Sequence, residues 1–416
     1  MLSIKILYLS PKIPRLVKFN TFYVMVSFSF VDLGKMKIGL CICCLASAFF
    51  GCSNNGKKSK DDFTYQLMVT DSIQVDYQGN LFLYDYDSLT HLFLGMDNGT
   101  DEVLLFDREG NVSSRFHLAK DGPNAISWAM GWGFFTGQFT VMDAAKGLLF
   151  FSREGEIVKR MDLNPPYTFI NGLKSPVHAF GKELAYIRPE RGEQDYTNQA
   201  EMFASIYRSP ILELLDPETG AYRQTMPFPP GTIYEDGNFY HWTFPTVIPA
   251  GEEWLVYFRG ELAYHLYGQE EEHLIYQKTI DLDLKDAVAI KGVPMANMDD
   301  YYEASLYNVF GRIQNLFVLD SQILIHYTKG MEEEKAKSFP RNTMEERAAF
   351  SLQITNYLAV LDREHRILQK DIAVPQGITL SSVVDENGAI FGLKDQDYLG
   401  VEEDKVTFYQ LKLKIK

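Results

Sequence analysis

Val103-Leu-Leu-Phe-Asp107-Arg-Glu-Gly110-Asn-Val and Leu148-Leu-Phe-Phe-Ser152-Arg-Glu-Gly155-Glu-Ile are one unit written twice, 45 residues apart. In each, a run of apolar residues stops at Asp or Ser, a short polar stretch ends on Gly, and the chain then resumes an extended pattern. A side-chain oxygen at the first turn position accepts from backbone N–H groups just downstream, and Gly takes the positive φ that such a turn demands. Each unit therefore predicts a tight hairpin. The pattern returns at Ile211-Leu-Glu-Leu-Leu-Asp216-Pro-Glu-Thr-Gly220 and at Tyr357-Leu-Ala-Val-Leu-Asp362-Arg-Glu-His365-Arg-Ile. Looser versions centre on Gln269-Glu270-Glu271 and Val401-Glu402-Glu403-Asp404. That makes six outer hairpins, near residues 107, 152, 216, 270, 362 and 402, at spacings of 45, 64, 54, 92 and 40.

Each outer hairpin is preceded by a candidate inner pair of strands. In the second unit these are Gly133-Phe-Phe-Thr and Gln138-Phe-Thr-Val-Met-Asp143; in the first, Ile73-Gln-Val-Asp and Asn80-Leu-Phe-Leu-Tyr-Asp85. In the last, Leu380-Ser-Ser-Val-Val and Ala389-Ile-Phe-Gly-Leu precede Val406-Thr-Phe-Tyr-Gln-Leu. Four strands repeated six times predict an all-β fold, a six-bladed β-propeller of four-stranded antiparallel blades occupying residues 63–416. Aromatics at 14% of the chain suit pleated, packed strands. Ring closure leaves few strand edges open, and Phe63-Thr-Tyr-Gln-Leu-Met-Val69 is placed to join the last blade to the first. Two stacked β-sandwiches are the competing architecture. Glu332 to Phe350 reads as a charged helical insertion within the fifth unit.

Cysteine usage speaks to location. Cys41, Cys43, Cys44 and Cys52 are the only four, so the body has neither a disulfide scaffold nor a thiolate metal site. From Met36, Lys37 provides a positive start, Ile38 to Phe50 an apolar stretch of signal length, and Gly51-Cys52 is followed at once by Ser53-Asn54-Asn55-Gly56-Lys57-Lys58. This order resembles a bacterial lipoprotein signal, in which the cysteine is acylated and becomes the mature N-terminus. The expected organisation is an upstream extension over residues 1–35 that is not part of the mature protein, a signal peptide over 36–51, lipidation at Cys52, a flexible tether over 52–62 and the propeller. Ser53 after the cysteine favours the outer membrane, and the basic tether favours its periplasmic side over the cell surface. Residues 1–52 hold six Lys/Arg and one acid while the whole chain carries −15, so the remainder carries −20. So acidic a body repels nucleic acid, and membrane contact is assigned to the lipid.

Leu104-Leu-Phe-Asp107-Arg-Glu-Gly110, followed by Lys120-Asp-Gly122-Pro123, resembles the blade signature of six-bladed propeller lipoproteins of gut Bacteroidetes, relatives of NHL and TolB-type propellers. The usual linker of that group reads Gly-x-Gly-Pro-Gly-Glu; here Lys120 stands for the first Gly and Asn124-Ala125 for Gly-Glu. The resemblance spans blades one and two. It implies lipid attachment, an extracytoplasmic location and no assigned activity.

Nucleophile elbows, P-loops, His-Glu-x-x-His and dinucleotide fingerprints are missing, and no two of the eight histidines lie at close metal-ligand spacing. The sequence therefore names no catalytic residue, no metal ligand and no cofactor. The acidic Asp107 to Asn111 segment lacks the ligand count of a calcium loop and reads as a turn. Tyr234-Glu-Asp-Gly-Asn-Phe239-Tyr240-His241-Trp242-Thr-Phe244-Pro245, between units three and four, is the richest candidate for recognition. Tyr240 and Trp242 there can stack on a sugar ring or a peptide, with His241 adding a hydrogen bond. Trp128 and Trp132 fall in the matching connection between units one and two, and Tyr307-Asn308 begin the inner strand of unit five. Filling the wedges between blades is the competing use of these aromatics. Two functions follow: a binding or scaffold module for a glycan, peptide or envelope protein, or a hydrolase or lactonase with a divalent metal on the channel axis.

Overall fold

The computed structural model describes residues 64–122, 124–163, 176–188 and 198–416. The expectations for residues 1–63, including the extension, the signal, Cys52 and the tether, lie outside the described residues, as does Pro123 of the linker signature. What is described is a six-bladed β-propeller. Six four-stranded antiparallel sheets follow one another along the chain, over residues 81–117, 129–161, 178–225, 246–281, 309–373 and 378–415. The sixth sheet takes three strands from the C-terminus and its outermost from Tyr65–Val75, which pairs with Val406–Ile415 from Tyr65↔Ile415 to Val75↔Val406. The N-terminal strand expected to close the ring does so.

Among the described residues the core is divided. Six apolar clusters each fill the wedge between two blades, and the seam between blades six and one is typical, with Ile73, Val75 and Phe93 packed on Phe391 and Phe408. Leu94, Val103, Val141 and Leu149 fill the next wedge. A blade is thus apolar on both faces, which explains why its middle strands are continuous hydrophobic runs: every residue of Glu102–Phe106 and Gly147–Phe151 is buried. A charge enters such a strand only when neutralised. Glu213 in blade three is fully buried, accepts from the Tyr186 hydroxyl and lies 3.2 Å from the equally buried Arg188 guanidinium.

The turn chemistry is as the sequence predicts. Asp107 Oδ1 accepts from the backbone of Glu109 and Asn111, Ser152 Oγ from Glu154 and Glu156, Asp216 Oδ1 from Glu218 and Thr219, and Asp362 Oδ1 from Arg366. Gly110, Gly155 and Gly220 take φ of 83°, 82° and 71°, and His365 adopts 65° at the equivalent position. Two details of the strand assignment differ. Ile73 to Val75 belong to the closing strand of blade six and not to an inner pair of blade one; the inner pair there is Leu81–Asp87 and Leu92–Asp97. The acidic stretch at 402 lies between the second and third strands of blade six, because the outer pair of that blade joins the two ends of the chain and needs no hairpin. The insertion of unit five is two short helices, Glu333–Lys337 and Met344–Ser351, with Pro340 between them.

Because strands alternate in direction, the connections between blades and those between second and third strands emerge on the same face. Acidic side chains stitch them together: Asp97 Oδ2 accepts from the Tyr77 hydroxyl and the Asn80 amide, and Asp143 Oδ2 from the Ser127 and Trp128 amides. This face carries all the long connections, so it carries the candidate site.

Candidate functional site

The connection after blade three folds into a short 3-10 turn, Ile233–Glu235, and a two-residue strand, Asn238–Phe239, that pairs with Val293–Pro294 from the connection after blade four. Helix Gln199–Ile206, inserted between the second and third strands of blade three, packs beneath. These segments gather aromatics that lie far apart in sequence. Tyr207, Tyr234, Phe239, Tyr240 and Tyr301 form the buried floor. The Tyr207 hydroxyl donates to His241 O at 2.6 Å and accepts from the Tyr240 amide at 2.9 Å, so one buried side chain fixes the backbone of the loop. Burial pushes Tyr207 above the ordinary phenol range, keeping that hydroxyl protonated and able to donate. The Tyr240 hydroxyl donates to Asp236, and burial first and then that carboxylate push it up to about 12.

Above the floor lies a partly exposed rim. His241, at φ 65°, stacks on Tyr301 with centroids 5.9 Å apart and shares a 3.0 Å hydrogen bond between Nε2 and the Tyr302 hydroxyl. Trp242 meets Phe203 edge-on at 4.6 Å, and Tyr302 is 68% exposed. Phe244 lies 6.3 Å from His241, with the Arg259 guanidinium 5.8 Å over its ring. Burial, and secondarily Arg259, lower the His241 pKa, so the imidazole is neutral at pH 7 and free to exchange hydrogen bonds in either direction.

The residues expected from sequence have different fates. Tyr240 belongs to the floor, while His241 and Trp242 are on the rim. Asn308 is buried and structural: its side chain accepts from the Lys291 amide and donates to Ala289 O, tying down the connection after blade four. Tyr307 lies under Arg341, 4.8 Å from its ring, against the helical insertion. Trp128 is 58% exposed in the connection between blades one and two. Trp132 is not in that connection but in the innermost strand Ala129–Phe135, where it meets Tyr84 of blade one at 5.3 Å, edge to face. Phe203, Tyr301, Tyr302 and Arg259 were not legible in the sequence as site residues, since they come from three different segments with no local motif. Among the described residues no group of three or more His, Cys, Asp or Glu side chains is disposed to hold a metal ion.

Fold and site together define a six-bladed propeller with an aromatic rim on one face. No family model and no curated protein matches the chain. Among solved structures it is similar to a member of the DUF4221 family from Bacteroides vulgatus, at 12% identity and a TM-score of 0.58 over 85% of this chain and 99% of that one. BamB from Moraxella catarrhalis is also similar, at 12% identity and a TM-score of 0.37, over 83% of this chain and 99% of that one. At these identities the first likeness shows the propeller fold alone, and the second adds nothing to it. Among the described residues no helix is long and apolar enough to cross a membrane.

Proposed function

We propose that this chain is a lipid-anchored, extracytoplasmic binding module, which recognises a glycan, peptide or envelope protein on the propeller face that carries the long connections. The observation that carries the reading is the rim of His241, Trp242 and Tyr302, held by a buried aromatic floor drawn from three connections. Rings fixed in this way lose little freedom on binding, and the neutral His241 beside the Tyr302 hydroxyl offers polar partners to a hydroxylated or amide ligand. Anchoring is assigned to Cys52, with the outer membrane as destination and its periplasmic side as the favoured face.

The test is binding of purified protein to immobilised glycans and peptides, alongside Trp242→Ala and Tyr302→Ala. Tyr302 is mostly exposed, so its replacement leaves the fold intact. Each variant is expected to weaken binding about tenfold, the value of ~1–1.5 kcal/mol for an aromatic contact. Unchanged binding in both variants refutes the site. Labelling with a palmitate analogue tests the anchor, and label retained by Cys52→Ala would refute it.

A further inference from the structure

A cavity of 360 Å³ is lined by the loop between the second and third strands of blade four, by the connection leading to blade five, and by three side chains in hydrogen-bonded series: Glu261, His265 and Thr279. His265, in Ala263–Glu270, and Thr279, in His273–Asp281, are register partners in an antiparallel pair, so their side chains stand on one face of the blade. The His265 ring is buried, with Nδ1 2.9 Å from Thr279 Oγ1 and Nε2 3.1 Å from Glu261 Oε2. The other Glu261 oxygen, Oε1, accepts from the Ile233 amide at 2.9 Å, so the connection after blade three fixes the carboxylate. Thr279 is exposed, and its Oγ1 also lies 2.9 Å from the Tyr276 hydroxyl. Asp97 and Asp143 stitch connections in the same way as Glu261, but Glu261 also holds an imidazole that reaches an exposed hydroxyl.

The order of these bonds assigns the protons. A carboxylate only accepts, so the ring N–H is on Nε2 and points at Glu261. Nδ1 then carries the lone pair, and the Thr279 hydroxyl donates to it. An exposed alcohol, an imidazole oriented by a carboxylate and a cavity beside them form the arrangement that activates a hydroxyl as a nucleophile. We propose that this site is an esterase centre for short acyl esters, with Thr279 as nucleophile, His265 as general base and Glu261 as the positioning residue. Thr279 Oγ1 attacks the ester carbonyl carbon as its proton passes to His265 Nδ1. The bond from that carbon to the alcohol oxygen breaks, and the alcohol leaves with the proton from Nδ1. Water then attacks the acyl-threonine and gives a proton to Nδ1; the acid departs as Thr279 Oγ1 takes that proton back. Leu262, Leu284, Val288 and Ile290 give the acyl group an apolar wall. The threonine methyl group crowds the attacking oxygen, so the acyl chain is short.

The test is hydrolysis of p-nitrophenyl acetate by the full-length protein, together with fluorophosphonate labelling of activated hydroxyls and peptide mapping. Wild type is expected to hydrolyse the acetate and to carry the label on Thr279. Thr279→Ala should abolish both, and its fold should be intact because Thr279 is exposed on an outermost strand. Thr279→Ser keeps the hydroxyl without the methyl group and should match or exceed wild type. His265→Gln should lower kcat about a hundredfold or more, as loss of a positioned general base does. Glu261→Gln should lower kcat and leave KM unchanged, and an unchanged kcat overturns its positioning role. Wild-type hydrolysis no faster than that of Thr279→Ala, or a Thr279 that takes no label, overturns the inference. Faster turnover of p-nitrophenyl decanoate than of the acetate overturns the short-chain assignment.

Discussion

Gly110 and Gly220 end the outer turns of blades one and three, three residues after Asp107 and four after Asp216, and replacing each by Ala should have very different consequences. Both take positive φ, 83° and 71°, so both variants force an L side chain into the left-handed region, at about 1–2 kcal/mol. Both also stiffen the unfolded chain, which returns about 0.4–1 kcal/mol. There the similarity ends. A Cβ on Gly220 meets nothing within 4 Å, whereas one on Gly110 would fall 2.0 Å from Gln74 O, in the strand that closes the ring. Backbone must then move, which adds about 1–3 kcal/mol as overpacking does. Gly110→Ala is therefore expected to cost ~1–4.6 kcal/mol and Gly220→Ala ~0–1.6 kcal/mol, from the sums of those ranges. Gly155→Ala should fall between them, because its Cβ would meet the Phe116 side chain, 2.4 Å away, which can shift more easily than backbone. Urea unfolding followed by far-UV circular dichroism gives all three values. If Gly110→Ala is no worse than Gly220→Ala, the turn of blade one does not bear on the closing strand, and the seam between blades six and one is not built as described.

Removing Glu213 should cost ~3–5 kcal/mol, since Arg188 would remain buried beside a lost partner; urea unfolding of Glu213→Ala that falls by less than 1 kcal/mol would contradict this. Asp85, on the innermost strand of blade one, has its carboxyl raised to about 6, chiefly by burial, with hydrogen bonds from Phe134 and Tyr86 opposing. A carboxyl whose folded pKa lies above its unfolded value binds more protons in the folded state, so stability falls as pH rises from about 4 to about 6. The expected loss is ~1–2 kcal/mol, discounted because the side chain is only partly buried. Asp85→Asn should flatten the melting temperature over that window, and an unchanged pH profile would count against the assignment.

Blade chemistry was legible because it is local. Asp107, Asp216 and Asp362 grip amides two to four residues away, and a buried middle strand announces itself as an unbroken apolar run. Even the closing strand could be read from Phe63 to Val69, since an open ring leaves one strand wanting. The sixth hairpin misled, as Glu402 to Asp404 carry the composition of a turn tip while the blade's outer pair is made by the two ends of the chain. His241 and Trp242 were readable as an aromatic cluster, but Trp132 reads the same way and fills a wedge.

Spacing and turn chemistry in the chain itself thus settled the repeat, the number of blades and the strand that joins the ends, for these depend on contacts a few residues long or on counting. Only the folded ring decided which aromatics are floor and which are rim. Phe203, Trp242 and Tyr302 come from three separate segments, and no residue's burial or pairing is fixed until the connections after blades three and four stand side by side.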